Sequence, residues 1–527
     1  MVFDATVNRD HISAKPTLKR LSPNLGEALL DVPASTQLEL ESALHWARLG
    51  QPEWASWPIS RRFAALERAA KAMLRDRSTV LALAKEEMGK HGVEGLFTEA
   101  LGPLETLKAW RRLVEGAHSR PVGLSRLSFP KKSARVELVP RGVIGILAPW
   151  NYPVAGLYRS VYPALLSGNA VLVKPSEYTP RTSSWFITHL ANEVPLGVAQ
   201  AILGDGRVGA ALLEAGVDAC VFTGSTRTGV QVRTRCAELG IPSSIEMGGK
   251  DAALVLSDCA LPRTVAGITQ WALSNSGQSC GAIEIVYVEE DIADHFVDRL
   301  TRSWKQLRTG PGSDDVDVHP VANSKQLDII EMHVSDALRK GARLACGGVR
   351  TMRGLGYPPT LLDCCHEAMD VVREETFGPV LAVVRIKGTE DAVRQINAGK
   401  YGLGASIWTR DEARARRIAG RLEVGIVSIN NHSFTGAIPA LPWSGTRATG
   451  YGVANSEWSL LTFCRPKAVI VDRSSDPDPY WMPFDRDLRD LGEALVHAQL
   501  GNMLRALSVP RLMRRRVRRI SHFFAGR

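Results

Sequence analysis

A chain of 527 residues with 45% hydrophobic and 23% charged residues has globular composition and exceeds one ordinary core, which excludes disorder and suggests two or three domains. No run approaches the roughly 20 apolar residues of a membrane span, and the opening MVFDATVNRDHIS lacks the basic and apolar regions of a secretory signal, so a cytoplasmic protein is expected. The net charge of +10 is unevenly placed, with eight arginines and no acid from Gly501 to Arg527, so the excess belongs to a tail and nucleic acid is not expected as a partner.

Eight scattered cysteines without a CxxC pair read as reduced thiols, and no metal-ligand spacing is present. Residues 1–35, with Pro16, Pro23 and Pro33, read as an irregular arm. Helical patterning follows at 38–47 and again at 61–88, where Leu66, Ala70, Met73 and Leu74 share a face; Trp54 and Trp57 between them read as helix-packing residues. Pro130, Lys131, Lys132 and Arg135 before alternating Val136 and Leu138 suit an edge strand or an inter-subunit ribbon. Strands are then expected at 143–147, 170–173, 201–203, 219–222 and 253–256, with helices at 156–166, 184–194, 208–215 and 228–239. This alternation argues for a parallel sheet wrapped on both faces. A second α/β unit follows, with helices at 291–307, 324–341, 390–397 and 411–421 and strands at 380–386, 404–408 and 425–429.

The stretch Asn275-Ser276-Gly277-Gln278-Ser279-Cys280-Gly281 places a cysteine in a turn between a helical pattern and an apolar strand. Only a thiolate attacks, so a nucleophilic Cys280 needs donors or a base nearby; taken alone it reads first as a small buried hydrophobe. Pro149-Trp150-Asn151-Tyr152-Pro153 ends the first buried strand, where open parallel sheets bind ligands. A stiffened Asn151 amide there suits a developing alkoxide, with a turn residue as the plainer account. Lys174 and Glu177 end the next strand, placed either for a ribose or as a solvated turn. Gly204 to Gly209 formally fits GxGxxG, a weak signal. Thr223-Gly224-Ser225 at a strand-to-helix junction offers an anion site or a simple N-cap by Ser225. Glu246 precedes Gly248 and Gly249, and Glu375 precedes Phe377-Gly378-Pro379; each glutamate alone reads as a surface residue.

Together, in this order and at these intervals, the stretches resemble the aldehyde dehydrogenase superfamily, of the NAD(P)-dependent, non-acylating type, over roughly residues 36–472. Pro442 to Gly450 (PWSGTRATG) is a looser match to that family's C-terminal glycine motif. The resemblance implies an α/β aldehyde dehydrogenase-like fold: a Rossmann-type dinucleotide-binding domain (36–121 and 140–247), a second α/β catalytic domain (248–461) and a small β oligomerisation ribbon (122–139 and 462–472). An arm (1–35) and a basic amphipathic tail (473–527) flank them. It implies oxidation of an aldehyde to the acid through a thiohemiacetal and thioester on Cys280. The alkoxide is then held by the Asn151 amide and the Cys280 N–H, and Glu246 is the general base for hydrolysis. Lys174 and Glu177 fall at the adenosine ribose, Trp150, Gly224 and Ser225 along the pyrophosphate, Glu375 and Phe377 at the nicotinamide ribose, and Gly204 is a lesser contact. NAD is the expected cofactor, because Glu177 accepts from ribose hydroxyls and repels a 2′-phosphate; NADP is the alternative, through Arg181. A homodimer or homotetramer is implied.

Three departures stand out. Many members have an Arg where this chain has Ile285, which would loosen packing beneath the site; a glutamate is replaced by Ala454; and residues 473–527 extend past the usual end. Tyr152, Tyr158, Trp271 and Phe434 read either as an apolar entrance or as core. In the tail, Leu512, Met513, Val517, Ile520, Phe523 and Phe524 threaded through arginines suit a helix lying on an anionic membrane surface, placing the protein at the inner face of a membrane. Packing on a neighbouring subunit and a solvated helix are the other accounts. Against hydrolytic release stand a coenzyme A-dependent acylating enzyme and a catalytically weak, membrane-recruited scaffold.

Overall fold

Residues 16–125, 129, 131–312, 315–350 and 354–525 are described in a computed structural model. Residues 1–15 of the expected arm, 126–128 and Pro130 of the expected ribbon, and 526–527 of the tail lie outside them. The polypeptide divides into two units: residues up to His118 with Leu138–Pro466, and Ser119–Glu137 with Lys467 onward.

The first unit carries two largely parallel sheets. One has the strand order Gly450–Tyr451, Ser243–Glu246, Ala219–Thr223, Val143–Leu147, Ala170–Lys174, Ala199–Ala201. Every residue of Val143–Leu147 and Ala170–Lys174 is buried, which is why these strands read as unbroken apolar runs. In register, Leu147 pairs with Lys174 and with Phe222, and Thr223 with Glu246. The carboxyl ends carrying Asn151, Lys174, Ser225 and Glu246 therefore emerge along one edge. Val143–Leu147 is flanked by the strand that follows it and by a later one, so the strand order reverses there, as at a ligand crevice of an open α/β sheet.

The second sheet runs Arg343–Cys346, Thr360–Asp363, Val380–Ile386, Ile283–Glu289, Asp251–Val255, Gly404–Trp408, Ile426–Ile429. Ile285 lies between Ala252 and Ala382 and is 4% exposed within that sheet's apolar core. The substitution expected to loosen packing instead contributes to it, because the position faces a hydrocarbon cluster.

The helix Gln37–Ser56 runs past its expected end and takes in Trp54, which is fully buried and donates from Nε1 to the Leu165 carbonyl at 2.8 Å. The pattern over 61–88 is two helices, Ile59–Arg75 and Arg77–Met88. Beyond them lies a segment without a sequence assignment: Gly92–Gly95, a π-helical turn at Leu96–Ala100, and the helix Gly102–His118. Leu101 N–H donates to the Leu96 carbonyl, an i→i+5 bond of 3.0 Å. At the other end, Gly450–Tyr451 pairs antiparallel with Ser243–Glu246, and Leu460 and Phe463 join the first sheet's core.

In the second unit, Ser119–Val122 pairs antiparallel with Lys132–Pro140, and Cys464–Asp472 borders the latter's other side. The tail is a helical hairpin, Arg486–Gln499 and Val509–Phe524. Its seam corrects the expected lipid face: Leu512 and Met513 are half-buried against Leu491 and Ala494, and Ile520 is wholly buried. Amphipathic periodicity was satisfied by another helix. Phe523 and Phe524 of that expected face are exposed, as are Val496, Leu500, Leu504 and Leu507, and Trp481, Met482 and Phe484. Arg516 is also buried, bonded to Asp485 at 2.8 Å and to the Pro479 carbonyl at 3.1 Å. Among the described residues no helix is long and apolar enough to cross a membrane.

Candidate active site

The helix Leu261–Leu273 ends in a turn where Asn275, Ser276 and Gly277 take φ of 52°, 56° and 72°. Left-handed backbone costs a non-glycine residue roughly 1–2 kcal/mol, so the turn must be held by its bonds. Asn275 Nδ2 donates to the carbonyls of Asn151 and Gln278, both at 3.0 Å, and Ser276 Oγ donates to the His319 carbonyl at 2.8 Å. Gln278 Oε1 accepts from Ala322 N–H at 2.8 Å. Gly277 has no alternative, because a Cβ would lie 2.1 Å from the Gly378 carbonyl oxygen.

From this turn Cys280 Sγ points to Glu246 Oε1 at 3.5 Å, and the same oxygen accepts from Trp443 Nε1 at 2.6 Å. Burial raises the Glu246 carboxyl above its ordinary range, with Arg159, Trp443 and Cys280 pulling it back. Burial and the Glu246 charge together hold the Cys280 thiol well above the usual value, opposed by Arg159. A thiol whose proton has one nearby acceptor, itself a raised carboxyl, can pass that proton on as it attacks. Asn151 is 6% exposed and its Nδ2 donates to the Gln278 carbonyl at 3.0 Å, which aims the amide along the Cys280 turn.

A cavity of about 240 Å³ joins these groups. Tyr152, Tyr158, Trp271 and Phe434, the four expected entrance aromatics, line it together with Asn151, Glu246, Cys280 and Ala454. Arg159 lies in its wall, its guanidinium 4.8 Å above the Trp443 ring and donating to the Gly436 carbonyl at 2.9 Å.

The expected dinucleotide residues gather at strand ends. Lys174, almost buried, reaches Glu177 Oε2 at 3.4 Å, a long bond for a charged pair that leaves both groups capacity for a ribose hydroxyl. Ser225 caps the helix Thr226–Glu238 by accepting from Thr228 N–H; the plain capping account and the anion site describe one helix N-terminus. At Gly224 a Cβ would stand 2.7 Å from the Phe222 ring. Glu375 accepts from Gly249 N–H at 2.9 Å, and burial, reinforced by Glu284, lifts its carboxyl to about 8. A Cβ on Gly248 would lie 2.3 Å from that carboxyl. Phe377 has φ of 52° and packs edge-on to Trp150 at 5.4 Å between ring centroids. At Gly204 the missing side chain makes room for Val208, 2.3 Å from a would-be Cβ. An ammonium, a carboxylate, a helix N-terminus and glycine-lined backbone in this order fit a nicotinamide dinucleotide. Among the described residues no cluster of His, Cys, Asp and Glu is arranged to hold a metal.

Sequence reasoning missed three contributors. Trp443 lies 197 residues from its carboxylate partner, and Arg159 sits inside an apolar helix pattern. Glu284 is 2% exposed and accepts from the Thr376 and Phe377 N–H groups, both at 2.8 Å, fixing the Glu375–Phe377 turn. Only its place as an acid in the middle of an apolar stretch, between Ile283 and Ile285, marked it.

Residues 11–469 match the model of the Aldehyde dehydrogenase family. The chain is 33% identical over 471 residues to 4,4'-diapolycopene aldehyde oxidase of Methylomonas sp, covering 89% of this chain and 88% of that protein. It is 31% identical to Putative succinate-semialdehyde dehydrogenase [NADP(+)] 2 of Mycobacterium ulcerans (strain Agy99), covering 89% and 91%. Among solved structures, NADP-dependent glyceraldehyde-3-phosphate dehydrogenase from Bacillus halodurans C-125 superposes with a TM-score of 0.81 at 34% identity, over 87% of this chain and 96% of that one. The chain thus belongs to the aldehyde dehydrogenase family, as an oxidoreductase that oxidises an aldehyde with NAD or NADP as its cofactor.

Proposed function

We propose that the substrate is an aldehyde with an apolar chain, oxidised through a covalent adduct on Cys280 and released as the acid by water. The observation that carries the substrate class is the wall of the cavity: Phe97, Tyr152, Tyr158, Trp271, Phe434 and Trp443 surround the thiol. The cation of the described lining, Arg159, stacks on the Trp443 face and donates to the Gly436 carbonyl. The name of the Methylomonas relative, 4,4'-diapolycopene aldehyde oxidase, supports the same class. Initial rates with n-alkanals of increasing length and with succinate semialdehyde test it, each with and without coenzyme A. The apolar reading requires kcat/KM to climb with chain length. A preference for succinate semialdehyde rejects it, and acceleration by coenzyme A rejects release by water.

In this scheme Cys280 Sγ adds to the carbonyl carbon as its proton moves to Glu246 Oε1, and the alkoxide is held by the Asn151 amide and the Cys280 N–H. A nicotinamide dinucleotide would be held by Trp150, Lys174, Glu177, Gly224, Ser225, Glu375 and Phe377, with Gly204 a lesser contact, and would supply the hydride acceptor; loss of hydride from the adduct would leave a thioester on Cys280. Glu246, having released the thiol's proton to solvent, then takes a proton from water as water attacks the thioester, and Cys280 leaves as the thiolate. NAD is the preferred form: Glu177 would repel a 2′-phosphate, and Arg181, the candidate to offset it, is paired with Glu86, although the named relatives include NADP enzymes.

Two assembly readings accompany this one. Ser119–Val122 and Cys464–Asp472 are edge strands, and Ile470 and Val471 are exposed on the latter, which suits pairing with another copy into a dimer or tetramer. A monomer mass by light scattering at micromolar concentration refutes that. Val496, Leu500, Leu504 and Leu507 stand exposed near Arg505 and Arg511 at one end of the tail hairpin, a combination suited to an anionic membrane surface. Co-sedimentation with anionic vesicles at low salt, for the full chain and one ending at Asp485, decides the point; equal partitioning of the two rejects the tail as the anchor.

A further inference from the structure

Lys90, Glu94 and Glu99 belong to no motif of the sequence and take no step in the scheme above, yet all three turn inward beneath the site. Lys90 and Glu99 form an ion pair at 2.6 Å with both side chains fully buried. From that pair Lys90 Nζ reaches the Asn151 carbonyl at 3.3 Å and stands 4.5 Å above the Tyr152 ring. Glu99 accepts from the N–H groups of Val154 and Ala155 at 2.9 and 3.2 Å. The loop that carries the Asn151 amide is therefore gripped at both ends. Glu94 accepts from the N–H of Asn275, the first left-handed residue of the Cys280 turn, and lies 3.4 Å from His319 Nε2. His319 in turn accepts from Ser276 Oγ through its carbonyl.

The local backbone explains how one short segment reaches both loops. Five residues of α-helix would turn Glu99 about 140° away from Glu94. The i→i+5 bond at Leu96–Leu101 widens the turn that carries Glu99, and the bonds above take Glu94 to the Cys280 turn and Glu99 to the Asn151 loop. The two gripped loops are themselves joined by Asn275 Nδ2 to Asn151 O and Asn151 Nδ2 to Gln278 O.

We propose that the segment Lys90–Glu99 is the positioning element of the alkoxide site: Glu94 sets the Cys280 turn through the Asn275 N–H, and the Lys90–Glu99 pair sets the Asn151 loop against it. The inference rests on Cys280 and Asn151 acting as proposed above. The structure around Glu94 is a carboxylate acceptor for a strained backbone N–H, and what it supplies is the angle between the two alkoxide donors.

The test uses the full-length enzyme with Glu94→Ala, Glu94→Gln and Ser276→Ala. One readout needs no cofactor: Sγ adds to the carbonyl of p-nitrophenyl acetate, p-nitrophenolate leaves, and water returns acetate, so the p-nitrophenolate burst reports the alkoxide site alone. The other is the NADH burst with a saturating aldehyde. Misplacing reacting groups by about 1 Å costs on the order of 100-fold, so Glu94→Ala should slow both bursts by roughly 10- to 100-fold, with aldehyde KM and dinucleotide Kd within about threefold of wild type. Glu94→Gln keeps an oxygen for the Asn275 N–H and should recover at least half of that loss on a logarithmic scale. Bursts within about threefold of wild type in Glu94→Ala overturn the proposal. So does a parallel loss of dinucleotide affinity, or a Gln variant no better than Ala. Should Glu94→Ala fail to fold, Ser276→Ala, which cuts the turn from His319, decides it: a burst slowed about threefold or more supports the proposal and an unchanged burst rejects it. A Cys280→Ala protein that kept its p-nitrophenolate burst would refute the nucleophile, a separate failure.

Discussion

The indole Nε1 of Trp443 donates to Oε1 of Glu246 at 2.6 Å, on the same oxygen that Cys280 Sγ faces at 3.5 Å. One carboxylate oxygen is thus fixed by a rigid donor while it receives the thiol. Replacing Trp443 by Phe keeps the ring in the wall and deletes only the donor. A hydrogen bond to a charged group contributes about 1.5–3 kcal/mol, equivalent to about 1–2 units of pKa. The bond favours the ionised form, so its loss raises the Glu246 carboxyl further and leaves less base at a given pH. The acid limb of the kcat–pH profile, already above the ordinary carboxylate range in wild type because burial raises Glu246, should move alkaline by about 1 unit in Trp443→Phe. An unmoved limb would show that this limb is not Glu246.

Glu246→Gln separates the two halves of the proposed reaction. The amide can take a proton from neither the thiol nor water, so NADH should appear as a burst of about one equivalent per site that forms more slowly than in wild type, and then nearly stop. Steady turnover at the wild-type rate would remove Glu246 from hydrolysis. Cys280→Ala should give neither phase while still binding dinucleotide, whereas Cys364→Ala, an exposed thiol of the second sheet's periphery, should behave as wild type.

Cofactor choice turns on one side chain. Glu177 is partly exposed and its only cationic neighbour within the pair is Lys174 at 3.4 Å. Glu177→Gln removes the charge that repels a 2′-phosphate while keeping an acceptor for the ribose hydroxyls. The ratio of kcat/KM for NAD over NADP should fall by about tenfold, roughly 1.4 kcal/mol. Equal values for both cofactors in the wild type would defeat the NAD assignment at the outset.

The tail hairpin depends on a buried cation. Arg516 has no exposed surface and serves Asp485 together with the carbonyls of Pro479, Trp481 and Pro483. Removing one partner of such a pair costs about 3–5 kcal/mol, more than the few residues of the Leu491–Ala494–Val509 seam can absorb. Trypsin should therefore cut within residues 511–519 much faster in Arg516→Met than in wild type. Equal digestion rates would mean the hairpin is held by other contacts.

What was legible in the sequence followed from physical uniformity. Val143–Leu147 and Val380–Ile386 are apolar because both faces of a central strand are covered, and their bounds were read correctly. The motif residues were found because their chemistry sits at strand ends. Lys90, Glu94 and Glu99 were invisible because a π-helical turn breaks the 3.6-residue period on which helix reading depends. Trp443 was read only as part of a glycine-motif match because its partner is distant in the chain. Leu512, Met513 and Ile520 were read with a lipid face but lie in the hairpin seam, because an amphipathic pattern specifies an apolar neighbour without specifying its chemistry.

The pairing of Gly450–Tyr451 with Ser243–Glu246 has a consequence for biogenesis. Met247 N–H donates to the Thr449 carbonyl, and a Cβ on Gly450 would lie 2.1 Å from the Ile245 carbonyl oxygen, so the two segments close tightly around the strand end that carries Glu246. Contacts so distant along the chain form late, after the loop between them has been closed. A nascent polypeptide still threading residues 443–451 through the ribosome already has its thiol and its amide, but its carboxylate lacks both the indole and the covering strand. In the proposed scheme the thiol–carboxylate pair is therefore completed only after residues 443–451 have emerged.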